Sequence, residues 1–213
     1  TAPRLRSSPV AGKELTHGGI HLSARAASAP STGHVFHSPI EDWLQRLHAR
    51  HQDNSHGKLA SYIPELTKAN PDWLGICLVT MDGVAYSVGD ADVPFTIQSI
   101  SKAFTYATSL ADRGKTYVEH KVGVEPSGDA FNSISLQAGT GRPCNPMINA
   151  GAIATTGQVK PDASGERIGR ILEMFARYTG RPLGIDREVY ASESRTGHRN
   201  RAIGHLLRNF DVL

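Results

Sequence analysis

Residues 74–88 constrain the fold of this chain most. The run Leu-Gly-Ile-Cys-Leu-Val-Thr at 74–80 reads as a buried strand, and Asp82-Gly83 is a hairpin turn signal. Val-Ala-Tyr-Ser-Val at 84–88 returns as its partner. From Lys115 onward no clear strand follows, only helical periodicity and loops. A two-stranded hairpin is marginal alone and needs further strands or helices against it. The expected class is therefore α/β (α+β): an antiparallel sheet of which only the N-terminal hairpin is expected here, plus a helical subdomain.

The helical segments have recognisable ends. Ser38-Pro39-Ile40-Glu41 is a capping-box start, followed by Ile40, Trp43, Leu44 and Leu47 on one face. A short second helix is expected over 60–67, interrupted by Pro64. Ile100, Ala103, Phe104, Ala107, Leu110 and Ala111 repeat at helical spacing up to a stop at Gly114. Residues 146–156 read as a small-residue helix, and 166–178 as an amphipathic one through Ile168, Ile171, Leu172 and Phe175, ending at Gly180. A last helix over 200–210 turns Ala202, Ile203, Leu206 and Leu207 inward. Residues 1–37, rich in Ser, Ala, Gly and Pro, are expected to be a disordered or leader-like tail, and 38–213 the folded part. Because the first residue is Thr1, the true start is expected upstream.

Composition excludes several classes. The chain has 213 residues, enough for one sizeable domain, with 39% hydrophobic and 20% charged residues. No apolar run approaches a membrane span. The net charge of +3 sits in residues 1–38, where Arg4, Arg6, Lys13 and Arg25 face only Glu14. A neutral body without a basic stripe argues against nucleic acid as a partner. Cys77 and Cys144 have no paired spacing and fit a reducing, cytoplasmic setting. The ten histidines lack metal-ligand spacing, and Gly123 to Gly128 contains a proline and an acid where a phosphate cradle needs free N–H groups. No metal or cofactor is expected.

The segment 94–104 carries the chemistry. It sets Ser99 and Lys102 three apart at a helix start, on one face. A serine hydroxyl is a poor nucleophile near neutral pH, and a lysine kept neutral by burial can take its proton. Free N–H groups at the helix start can stabilise an oxyanion. The pattern alone is weak: about one S-x-x-K match is expected by chance in a chain of this size, and Ser55-His56-Gly57-Lys58 is a second copy in a polar loop with no apolar helix beneath it. The bland alternative for Ser99 is a surface cap beside a solvated lysine. Two further segments supply polar groups. Asn145-Pro146 reads as a helix cap with Asn149 one turn on, and Glu193 lies in an expected loop before Asn200, a candidate N-cap.

Together these segments resemble the serine-dependent glutaminase family, within the β-lactamase/transpeptidase-like fold of penicillin-recognising enzymes. The matching text is Tyr62-Ile63-Pro64-Glu65-Leu66, Pro94-Phe95, Gln98-Ser99-Ile100-Ser101-Lys102, residues 123–128, residues 145–153, Glu193, Arg199-Asn200 and Ala202-Ile203-Gly204, in family order from about Ser38 to Leu213. The resemblance implies Ser99 as nucleophile and Lys102 as its base, hydrolysing L-glutamine to L-glutamate and ammonia through a γ-glutamyl ester. It implies that Tyr62, Gln98, Asn149, Glu193 and Asn200 line the substrate pocket, and that the intact protein is a homo-oligomer, dimer or tetramer. It also implies that the family continues beyond Leu213 with two more site tyrosines, an oxyanion N–H and the remaining strands. On that reading this chain is a fragment, weakly active or inactive alone. The alternatives are a β-lactamase or peptidase, whose S-D-N and K-T-G elements do not occur here, and a non-catalytic interaction remnant.

Overall fold

The structure is a computed structural model that describes residues 38–213. The tail expected over 1–37 lies outside the described residues.

Helix α1 (Pro39–His51) begins as its sequence dictates. The Ser38 hydroxyl accepts from Ile40 N, and Ser38 N donates to the Glu41 carboxylate. Leu44 is buried, whereas Trp43 is half exposed. The helix lies along a narrow hairpin, too small to cover a four-residue apolar stripe. That hairpin pairs β1 (Gly75–Val79) with β2 (Ala85–Gly89), antiparallel, in the register Gly75↔Gly89 to Val79↔Ala85. Asp82-Gly83 turns the chain, with Gly83 at φ 87°. The strands are not buried on both faces. Ile76, Leu78, Tyr86 and Val88 are half-buried on the α1 side, and the alternate residues are exposed. His48 Nε2 donates to Leu74 O (2.9 Å), pinning α1 to the base of the hairpin. Gly89, at φ +66°, is required there: a Cβ would come within 2.2 Å of both His48 Nε2 and Leu74 O.

The segment expected as a helix over 60–67 is a 3₁₀ turn, Pro64–Lys68. Proline lacks an N–H and is suited to the first helical position, so it starts the turn instead of interrupting one. A second 3₁₀ turn, Gln98–Ile100, runs into α2 (Ser101–Arg113), which ends at Gly114 with φ 82°. The buried stripe of α2 is Thr105, Thr108 and Ser109, while Ile100 is exposed. The Thr108 and Ser109 hydroxyls donate to the Phe104 and Tyr106 carbonyls, so small hydroxyl residues can be buried without loss. Helix α3 (Lys115–Lys121), not expected from sequence, follows directly. Its C-terminal carbonyls at Glu119 and Val122 receive the Arg142 guanidinium.

Helix α4 (Asn149–Gln158) is the central element. It packs against both α2 and α7. Four of its five buried positions, Ala150, Gly151, Ala154 and Thr155, are small, which lets neighbours approach on two sides; the fifth, Gln158, donates from Nε2 to Val212 O (2.9 Å). Val122, Ile148, Ala150, Ala154, Ile203, Leu207 and Val212 form the core cluster around it. Helix α5 (Arg167–Thr179) docks on α2 through the Phe104–Phe175 edge contact (6.1 Å) and the Arg170–Asp112 ion pair (2.9 Å). Then α6 (Arg187–Thr196) meets α7 (His198–Asn209) at Gly197. In α7, Ile203 and Leu207 are fully buried, but Leu206 remains 39% exposed because α4 covers one flank only. The observed class is the α/β one expected: a hairpin beside seven α-helices among the described residues.

Candidate active site

Five elements supply the seven residues singled out from the sequence, together with the loop holding Tyr62: the second 3₁₀ turn, α2, α4, α6 and α7. Ser99 is the middle residue of the 3₁₀ turn, exposed at the mouth of α2. Gln98, just before it, has φ 43°, an uncommon conformation for a residue with a side chain, costing on the order of 1–3 kcal/mol. Its neighbours hold it there. Tyr62 Oη donates to Gln98 Oε1 (3.1 Å), Gln98 Nε2 donates to Thr96 Oγ1 (3.0 Å), and Ser101 Oγ donates to Gln98 O (2.6 Å).

Lys102 is the second residue of α2, one turn past Ser99, and is partly buried. Its Nζ donates to Asn149 Oδ1 (2.8 Å) and to Met147 O (2.9 Å), and lies 5.2 Å from the centroid of the Phe131 ring. Burial pushes its pKa below the ordinary lysine value. A neutral amine keeps two N–H donors, enough for both acceptors, and gains a lone pair where the third proton was. The site can thus hold the base form of Lys102 without leaving an acceptor unpaired. Among the described residues Ser99 has no side-chain hydrogen bond, and Lys102 does not bond to it.

Asn149 is the first residue of α4, and its own N–H donates to Phe131 O (2.9 Å). Asn145 does not cap α4. Its Oδ1 accepts from Met147 N and Ile148 N, closing the turn that precedes the helix, because Pro146 starts that turn three residues too early for the cap to be Asn145. That turn presents the Met147 carbonyl to Lys102.

Glu193 and Asn200 sit on either side of the Gly197 corner. Glu193 is helical, in α6, and not in a loop; Asn200 is the third residue of α7 and not its N-cap, which is Gly197. Gly197 N donates to Glu193 O (2.7 Å) and Arg201 Nη1 to Ser194 O (2.6 Å), so the corner is tight. Glu193, Asn200 and Tyr190 line a depression of about 210 Å³. The Tyr62 segment is fastened to the same helix by Glu65 N donating to the buried Ser192 hydroxyl (3.4 Å). The structure therefore brings Lys102 to Asn149, Tyr62 to Gln98, and Glu193 to Asn200. The three pairs are linked through packing and backbone, not by direct side-chain bonds.

Phe131 was missed from the sequence. It lies in a Gly-, Pro- and Ser-rich loop without periodicity, and its being the one aromatic there was the only signal. Helix α6 did carry a signal: Asp186 Oδ1 accepts from Glu188 N and Val189 N, an N-cap legible as Asp186 before Glu188. No group of three or more His, Cys, Asp or Glu side chains among the described residues could hold a metal ion. No helix among them is long and apolar enough to cross a membrane.

An exposed serine on a strained turn, one helical turn from a partly desolvated lysine, is a scaffold suited to acyl transfer. The comparisons narrow that class. The glutaminase family model matches residues 57–213, and the chain belongs to the glutaminase family. It is 50% identical to a glutaminase of Microcystis aeruginosa over 186 residues, covering 87% of this chain and 55% of that protein. It is 48% identical to glutaminase 2 of Bradyrhizobium diazoefficiens over 194 residues, covering 91% of this chain and 31% of that protein. Among solved structures, Mglu in its native form superposes with TM-score 0.77 at 45% identity, over 83% of this chain and 43% of that one. The probable glutaminase ybaS gives 0.76 at 36% identity, over 82% and 57%. The chain spans about half the length of the cyanobacterial relatives it matches.

Proposed function

We propose that the site acts on L-glutamine, with Ser99 as nucleophile and Lys102 as base. Lys102 takes the Ser99 proton as the hydroxyl oxygen attacks the side-chain amide carbon. The same proton passes to the leaving nitrogen, ammonia departs, and a γ-glutamyl ester remains on Ser99. Water, deprotonated by Lys102, then releases L-glutamate and restores the serine. Apart from the substrate itself, the scheme uses only the Ser99 and Lys102 side chains and water.

The observation that carries the reading is Lys102, desolvated and held by Met147 O and Asn149 Oδ1 one turn from an exposed serine. The remaining polar groups suit an amino acid. The Glu193 carboxylate can pair with an α-ammonium. The Asn200 amide and the Asn149 Nδ2, whose partner Oδ1 is already occupied, can donate to an α-carboxylate. Tyr62 and Gln98, bonded to each other next to Ser99, can meet the substrate's remaining polar atoms. Mglu has been solved in a glutamate form, which supports a site shaped for that product. The free cysteines Cys77 and Cys144 favour a cytoplasmic setting, and exposed apolar side chains on the hairpin favour a homo-oligomer.

The test is a rapid acid quench of the full chain with L-glutamine, followed by peptide mass mapping and ammonia determination. A γ-glutamyl adduct on Ser99, absent in Ser99→Ala and Lys102→Met, is expected. Ammonia release that persists in Ser99→Ala refutes the assignment.

A further inference from the structure

Three groups surround the Lys102 ammonium, and all come from one stretch of chain: the Phe131 ring, the Met147 carbonyl and the Asn149 side chain. The stretch is internally tied, because Asn149 N donates to Phe131 O (2.9 Å). The loop around Phe131 has its own order. Ser135 Oγ donates to Asp129 Oδ2 (2.6 Å), Ser133 N donates to Ala130 O (2.8 Å), and Gly128 turns at φ 69°. Phe131 is itself 61% exposed. An exposed phenyl ring adds little to a core, so its place over an ammonium calls for another account.

We propose that Phe131 is a positioning residue that sets the basicity of Lys102 by presenting its ring face to the amine. The ring's negative face stabilises the ammonium and opposes the desolvation that favours the neutral amine. The two effects together hold Lys102 between permanent charge and permanent neutrality, which is what a proton shuttle needs. Other charges do not set this balance. Helix α4 carries none. Glu125, Asp129 and Arg142 of the loop, Glu119 of α3, and Arg170 and Glu173 of α5 make no ion pair with Lys102, and the cause of its lowered pKa is burial, not a neighbouring charge. The consequence for turnover rests on Lys102 acting as base; the effect on its proton affinity does not.

The experiment reads that affinity directly. Wild type, Phe131→Leu, Phe131→Tyr and Phe131→Trp full chains are labelled with trace acetic anhydride across an alkaline pH series, and each lysine is followed by peptide mass mapping. Leucine keeps the apolar bulk but lacks the ring face. The expected midpoint for Lys102 falls by about half a pH unit in Phe131→Leu, is retained in Phe131→Tyr, and rises in Phe131→Trp, the strongest cation-binding ring. Lys115 and Lys160 serve as internal references and do not move. An unchanged or raised midpoint in Phe131→Leu overturns the proposal, as does a Tyr variant that behaves like Leu. The readout needs no turnover. A shifted Lys102 in a chain that forms no Ser99 adduct supports the role of Phe131 and counts against the glutaminase scheme alone.

Discussion

Lys102 is asked to be two things, and the cost falls on stability. Burial lowers its pKa. Between that lowered value and the value of about 10.4 for an unfolded lysine, the unfolded chain binds more protons than the folded one. Stability therefore rises with pH across that window, and below it the charged amine is a standing penalty. Lys102→Met keeps the length of the side chain and removes the charge. It is expected to raise the urea midpoint near neutral pH, with the advantage shrinking as pH approaches the ordinary lysine value. A lower midpoint at neutral pH would show that the bonds to Met147 and Asn149 outweigh desolvation. At this scale the sequence was informative in one respect and silent in another. Ser99 and Lys102 could be placed on one face because three residues make nearly one helical turn. Phe131 could not, because it reaches Lys102 from 29 positions away through an aperiodic loop.

Between elements, α4 decides where the site residues stand. Gly151 packs on the preceding turn so closely that a Cβ would lie 1.8 Å from Asn145 O and 2.7 Å from the Asn145 carbonyl carbon. Those are backbone atoms, which cannot swing aside as a side-chain tip would. Gly151→Ala is expected to cost about 1–3 kcal/mol in urea unfolding, and to separate the turn bearing Met147 O from the helix bearing Asn149. Gly204→Ala is the control: it lies inside α7 with nothing within 4 Å of a new Cβ, and is expected to stabilise by about 0.5–1 kcal/mol. Equal effects of the two substitutions would remove the close-approach argument. The small-residue run that gives α4 its role was legible as a helix, but its start was misplaced from Asn149 to Pro146. Asn145 and Pro146 are good cap residues whether the turn they begin becomes a helix at once or three residues later. The corner at Gly197 was likewise read as a loop ending in an N-cap, since a glycine flanked by polar residues does not reveal that both of its flanks are helical.

The whole molecule presents more apolar surface on the hairpin than its small sheet explains. At the free end Val79 is 62% exposed, Met81 fully exposed and Val84 45% exposed; Phe95, on the loop leading to Ser99, is 80% exposed. Both edges of a two-stranded sheet have unpaired backbone groups, and such edges recruit further strands unless a charge or proline blunts them. Residues 76–81 contain neither. On the outer face of the strands only Val79 is bulky; Gly75, Cys77, Ala85, Ser87 and Gly89 have small side chains or none, which allows another layer to approach closely. Long-range repulsion does not oppose association either, because residues 39–213 carry 19 basic and 19 acidic side chains. The full chain is therefore expected to self-associate in the micromolar range. Sedimentation velocity should show a weight-average coefficient that climbs with concentration. The double substitution Val79→Lys and Met81→Lys, which puts two like charges at the hairpin end, should flatten that rise while leaving the α2–α4 contact and the Lys102 labelling midpoint unchanged. A wild-type chain that sediments as a monomer throughout would show that this end of the hairpin is tolerated in water, and would remove the observation on which the homo-oligomer reading stands.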